Sequence, residues 1–280
     1  MSGGSKFKVF MSVDMEGISG IVDGSETGRD KAEYERGRKL MVGDVNAAIE
    51  GVLSVGDAEV VVSDGHGGMR NIKPEDLNEA AVLVRGSPKP LTQMAGIAER
   101  YDAVVFIGYH SKKGTELGIL SHTISGGVID SVTINGMEVG ETAINAAIAG
   151  YHGAPLVFVA GDLAVTKEAK EMNPEIVTVA VKEAVSRRAA KCLSPKVAGD
   201  LIRKGVSEAL QKRGAIEPFA FEPPVEIVAK YVNALMADAV AFMPSAERLD
   251  GRTVRFVQDD YLKAFGALRA SIYIAGAVSR

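Results

Sequence analysis

The sequence predicts an α/β protein, a mostly parallel sheet flanked by helices, with a second, smaller α+β domain behind it. Short apolar runs at Phe7 to Val13, Glu59 to Asp64 and Ala103 to Tyr109 have the length and the valine, isoleucine and phenylalanine content of buried strands. Helical patterning lies between them, over roughly Lys31 to Val55 and Pro90 to Arg100, so strands and helices alternate as in Rossmann-like layers. Beyond about Asp162 the pattern changes.

Farther along, Asn135-Gly136 separates Val132-Thr133-Ile134 from Met137-Glu138-Val139, and both residues tolerate positive φ, so a tight hairpin is predicted there. Gly140-Glu141 opens a helix running to about Gly150, and Pro155 to Asp162 is the last clear buried strand of this part. In the remainder, Lys167 to Met172 and Pro195 to Lys212 read as helices, and Ile176 to Val181 and Val225 to Tyr231 as strands. Asp250-Gly251 turns a hairpin into Thr253 to Val257, and Tyr261 to Ala277 closes the chain as an amphipathic helix. The expected division is residues 1–165 as an α/β catalytic, metal-binding domain, and 166–280 as a smaller α+β domain for substrate walls and oligomer contacts. All four histidines precede residue 153, which places the chemistry in the first part.

At 280 residues, with 46% hydrophobic and 24% charged residues and a net charge of -4, the composition is that of a globular protein without a basic face. Nucleic acid is therefore not an expected partner. No apolar stretch reaches the ~18 residues a membrane span needs, and Met1 to Lys6 is polar, unlike a secretory signal. The cytoplasm is the expected location. Cys192 is the single cysteine, which rules out an intrachain disulfide, and it is expected to be buried and inert.

Asp14 and Glu16 follow the first strand at i, i+2, which puts both carboxylates on one face at the strand's carboxyl end. Open α/β sheets bind ligands at that end. His66 and His110 follow the other two runs in the same way. One histidine at a strand end is more often a satisfied polar residue at the core edge. Two carboxylates and two imidazoles gathered there instead need a counter-ion, and they form the donor set of a hydrolytic metal site. Other residues read less clearly. Glu141 suits a helix N-terminus without further role. His122, between Gly118 and Gly126-Gly127, either hangs over a site or is a plain loop residue. His152 reads as a helix end, and Asp64 and Asp162 either as turn and capping residues or as groups that orient a ligand histidine, the former slightly favoured. Nucleophilic-serine, dinucleotide and phosphate-loop motifs are missing; Gly51 and Gly56 have the spacing of the last, but Asp57 stands where lysine is required.

Ser12-Val13-Asp14-Met15-Glu16-Gly17-Ile18-Ser19-Gly20, Ser63-Asp64-Gly65-His66, Gly108-Tyr109-His110, Leu120-Ser121-His122, Val139-Gly140-Glu141 and Lys191-Cys192-Leu193-Ser194-Pro195 together resemble the zinc-dependent D-aminopeptidase family, the aminopeptidases of dipeptide-transport operons. Gly65 before His66 and Leu163 after Asp162 depart from its usual pattern. The resemblance implies metal ligands at Asp14, Glu16, His66, His110 and Glu141, a catalytic His122, and two zinc ions per chain. It also implies a short peptide substrate with D-residues preferred, and a ring-like homo-oligomer, a decamer. Read from the residues alone, a binuclear phosphoesterase or amidohydrolase, or a non-catalytic metal-binding protein, remain alternatives to the binuclear aminopeptidase.

Overall fold

The structure is a computed structural model describing residues 6–98 and 101–279. The polar start at residues 1–5 and the end of the expected helix at Glu99-Arg100 lie outside the described residues. Along the chain, β1 (Phe7–Val13) leads through a long loop and the short α1 (Gly24–Thr27) to α2 (Tyr34–Leu53), β2 (Ala58–Asp64), β3 (Ala81–Val84) and β4 (Ala103–Tyr109). Then come β5 (Ile129–Ile134), β6 (Met137–Glu138), α3 (Glu141–Tyr151), β7 (Leu156–Asp162), α4 (Leu163–Met172), β8 (Val177–Ser186), β9 (Ala189–Cys192) and α5 (Pro195–Gln211). The chain closes with β10 (Val225–Tyr231), α6 (Ala234–Val240), β11 (Glu247–Arg248), β12 (Thr253–Gln258) and α7 (Tyr261–Ala277).

Among the described residues, the larger sheet has the order β3-β2-β1-β4-β7-β8-β9, parallel except for the β8-β9 pair. The smaller is antiparallel, in the order β11-β12-β10-β5-β6. The larger sheet takes β8 and β9 from beyond residue 165, and the smaller takes β5 and β6 from before it. Strand alternation divides the interior in two. Val9, Met11, Val13, Val105 and Ile107 meet the buried faces of α2 and α5, whereas Phe10, Val104 and Phe106 meet α3, α7 and the smaller sheet. In α5 the buried Ala198, Ile202, Val206, Ala209 and Leu210 form one helical stripe, and Ser194 caps its start ahead of Pro195. At the predicted hairpin, Asn135 and Gly136 have φ of 47° and 82°.

Two expectations are corrected. Pro90 to residue 98 is not a helix but one 3-10 turn, Thr92–Met94, within irregular chain; φ is +48° at Thr92 and +107° at Gly96, and a helix requires negative φ throughout. Cys192 is exposed, because β9 is the outer strand of its sheet and leaves one flank uncovered. The short β3 and the two turns of α6 escaped the sequence reading. No helix among the described residues is long and apolar enough to cross a membrane.

Two buried charged groups hold the loop after β1. Lys182 of β8 donates to the carbonyls of Glu16, Ile18 and Ile21 at 2.6, 2.8 and 2.6 Å, and burial lowers its pKa to about 8. Asp44 of α2 accepts from the Ser19 amide and hydroxyl, both at 2.8 Å, and burial raises its pKa to about 6 despite those bonds. Asp44 thus holds its proton more tightly folded than unfolded. Its contribution to stability is complete below about pH 4 and is lost as pH rises through about 6. Asp44→Asn keeps both contacts with Ser19 by reversing the hydroxyl. Its unfolding midpoint should improve relative to the native protein between about pH 4.5 and about pH 7.5, by on the order of 3 kcal/mol at most. A constant difference across that range would show that Asp44 does not titrate on unfolding.

Candidate metal centre at the carboxyl edge of the larger sheet

Strand order runs outward in both directions from β1, so the crevice beyond the ends of β1 and β4 is the switch point where such sheets bind ligands. Asp14, His66 and His110 leave the ends of β1, β2 and β4. Glu16 follows two residues after Asp14, Glu141 is the first residue of α3, and His122 comes from the loop between β4 and β5. The structure brings all six together. His66 Nδ1 lies 3.2 Å from Asp14 Oδ1 and 3.0 Å from Glu16 Oε2. His110 Nε2 lies 3.6 Å from Asp14 Oδ2 and 3.4 Å from Glu141 Oε1, and His122 Nε2 lies 3.7 Å from the same Glu141 oxygen. The rings of His110 and His122 stack at 4.1 Å.

Each imidazole has its other nitrogen on a backbone carbonyl: His66 Nε2 on Thr27 at 3.1 Å, His110 Nδ1 on Ser111 at 3.0 Å, and His122 Nδ1 on Leu120 at 3.0 Å. A carbonyl only accepts, so each of those nitrogens carries the proton. The nitrogen facing the carboxylates is left free to bind a cation.

The electrostatics reflect three buried carboxylates in one space. Burial first, and then the charge of Glu16, raises the Asp14 pKa to about 6. Burial opposes ionisation of Glu16 and Glu141 as well, but the imidazoles outweigh it: His66 holds Glu16 well below the usual range, and His110 lowers Glu141 to about 2. Reciprocally, burial works against charge on His66 and His110, yet the carboxylates lift His66 well above its ordinary value and His110 to about 10. A divalent cation among these groups would supply the balancing positive charge.

The donors suit a metal. Ligand atoms of Asp14, Glu16 and His110 lie within 4.8 Å of one another, as do those of His110, His122 and Glu141. His110 Nε2 is buried and makes no hydrogen bond, with its nearest carboxylate oxygens 3.4 and 3.6 Å away. Nitrogen and carboxylate oxygen in such a set fit zinc.

Sequence reasoning missed the residues that orient the carboxylates. Gln93 Nε2 donates to Asp14 Oδ2 at 3.0 Å and Glu141 Oε2 at 2.6 Å, and its Oε1 accepts from Asn145 Nδ2 at 2.5 Å. Asn145 also donates to the Tyr109 hydroxyl, which shares a hydrogen bond with Ser12. The i, i+4 spacing of Glu141 and Asn145 was a readable signal; Gln93 carried none. Asp64 accepts from the amides of Asn71 and Ile72, which folds the loop after His66, and Asp162 caps α4 through the Val165 amide. Both behave as turn and capping residues.

Fold and cluster together define a metal-dependent hydrolase with its site at the switch point of an α/β sheet. Residues 7–270 match the peptidase family M55 model, described as D-aminopeptidase. The chain is 38% identical over 262 residues to a D-aminopeptidase of Bacillus subtilis (strain 168), covering 93% of this chain and 95% of that protein. A solved structure described as the Zn-dependent D-aminopeptidase DppA from Bacillus subtilis, a self-compartmentalizing protease, matches with a TM-score of 0.95 and 36% identity over 98% of this chain and 100% of that one. The chain therefore belongs to the D-aminopeptidase family and is a metallo-aminopeptidase.

The cluster tolerates little movement of its strands. Gly17 donates its amide to the Gly108 carbonyl at 2.8 Å, and a Cβ on Gly17 would fall on the Tyr109 carbonyl oxygen. Gly17→Ala must therefore push β1 and β4 apart, and should lower stability by more than about 3 kcal/mol in denaturant unfolding. A loss below about 1 kcal/mol would mean that this contact is slack.

Proposed function

We propose that the protein is a binuclear zinc aminopeptidase that removes N-terminal residues, D-amino acids by preference, from short peptides or amides. The observation that most supports this is the set of three imidazoles, each tied to a carbonyl by one nitrogen and facing buried carboxylates with the other. The family supports the reaction class, and the zinc dependence described for the Bacillus subtilis relative supports the metal.

In this reading Asp14, Glu16, His66, His110 and Glu141 would hold the ions, with Glu16 and His66 on one side of Asp14 and His110 and Glu141 on the other. When bound, the ions provide an acidified water as nucleophile and a Lewis acid for the scissile carbonyl. Gln93 keeps Asp14 and Glu141 in register. His122 stands on the loop between β4 and β5 and is the most exposed of the three, with 21% of its side chain accessible against 14% for His66 and 1% for His110. Its protonated Nδ1 is anchored on Leu120, so Nε2 is the atom that moves a proton to the leaving amine or stabilises the oxyanion. The working assembly is a closed ring, a decamer with its sites inside. The self-compartmentalizing relative supports that assembly, as does Phe242, which is 89% exposed on the isolated chain.

Zinc-loaded protein should hydrolyse D-alanyl amides and short D-peptides faster than their L-counterparts, lose that activity to a chelator, and regain it with zinc. Turnover of p-nitrophenyl phosphate alone would reject the peptidase reading. Asp14→Ala should remove both ions in metal analysis. His122→Ala should keep them while kcat falls by about 10² to 10⁴; near-normal turnover in that variant would end its catalytic assignment. Gln93→Leu should weaken zinc affinity about 10- to 100-fold in a competition titration, and unchanged affinity would reduce Gln93 to a packing role.

A further inference from the structure

Beside the cluster lies a cavity of about 100 Å³, lined by Gln93 and Glu141, by Ile144 of α3, and by Phe265 and Arg269 of α7. The i, i+4 spacing of Phe265 and Arg269 puts both on one face of the last helix. Arg269 is half-buried, and its Nε is shielded from solvent without a hydrogen-bond partner. Its guanidinium donates to the Tyr273 hydroxyl at 3.2 Å and lies over that ring at 5.0 Å. No carboxylate among the described residues pairs with it. Glu141, the carboxylate that shares the cavity, is already engaged, Oε1 with the Ile124 amide and Oε2 with Gln93.

The guanidinium has a buried Nε without a partner and no counter-ion among the described residues, and its planar fork matches a carboxylate. We infer that Arg269 receives the C-terminal carboxylate of the substrate, so that a peptide with a free carboxyl end is preferred over the same peptide as its amide. The inference rests on the aminopeptidase reading above. With the scissile bond at the cluster, the residue after it enters the cavity, whose volume admits one small residue. Ile144 and Phe265 face its side chain, and Arg269 its terminus.

The test uses the zinc-loaded native protein and pairs of substrates. D-alanyl-D-alanine should show a KM at least about tenfold below that of D-alanyl-D-alaninamide, the effect of one charge-assisted hydrogen-bonded contact. Arg269→Met, which keeps the packing stem, should raise the acid's KM to that of the amide and leave both kcat values and the amide's KM within about twofold. Arg269→Lys should restore part of the preference, because charge returns without the fork. The same acid-to-amide ratio should appear in calorimetric binding to His122→Ala. Equal KM values for acid and amide in the native protein, or a preference that survives in Arg269→Met, would overturn the inference and leave the aminopeptidase reading standing. Selection of D-alanyl-D-glutamic acid α-amide without an acid-to-amide difference would also overturn it, by assigning Arg269 to a side-chain carboxylate. Failure to hydrolyse any peptide or amide with zinc would overturn the aminopeptidase reading itself, and the inference with it. If Arg269→Met does not fold, the native ratio and the Arg269→Lys variant decide.

Discussion

Mutual repulsion of Asp14, Glu16 and Glu141 is the constraint on which the rest of the structure depends. All three are buried and Asp14 feels the charge of both others, and carboxylates placed so cannot all remain ionised without positive charge among them. Against the cost of burial the carboxylates raise the proton affinity of His66 and His110, while burial and then the charge of Glu16 push Asp14 up to about 6. Carbonyls hold each ring in the orientation that points a nitrogen inward. A site built in this way is preorganised for a cation, because the ligands need not be gathered or turned when the cation arrives.

Holding such a cluster takes rigid backbone. At the edge of the sheet β1, β4 and β7 approach so closely that side chains at Gly17 and Gly161 would strike the Tyr109 carbonyl, and Gly108 turns with φ of +73° between them. The loop carrying Glu16 has no regular structure of its own. Lys182 closes it by gathering three of its carbonyls, and Asp44 pins Ser19 from the helix below. From the opposite core, the chain Ser12, Tyr109, Asn145 and Gln93 reaches Asp14 and Glu141, so both layers of the protein bear on the same carboxylates.

The part of the chain without histidine also reaches the site. Helix α7 packs under the smaller sheet in the same core as α3, and that packing carries Phe265 and Arg269 to the cavity beside Glu141. Polar groups that bind and react therefore come from strand ends early in the chain, while part of the cavity wall comes from its last helix.

Much of this was legible in the sequence, because local rules govern it. Strand alternation and the i, i+2 spacing of Asp14 and Glu16 depend only on backbone geometry, and so do the stops at His66 and His110 and the hairpin at Asn135-Gly136. Those rules were enough to place the larger sheet's central strands and four of the clustered side chains. Glu141 and His122 needed family resemblance, since a helix start and a glycine-rich loop look the same with or without a site. Tertiary structure alone decided the remainder. Lys182 meets Glu16 across 166 residues and Gln93 meets Asp14 across 79, and nothing in the neighbouring residues encodes such partners. Between Pro90 and residue 98 the backbone leaves its helical pattern, with Gln93 turned inward onto two carboxylates, and Cys192 is exposed on a strand that became an edge. Local spacing settles which way a side chain points, whereas what it meets depends on closing long loops, and only the packed whole determines that.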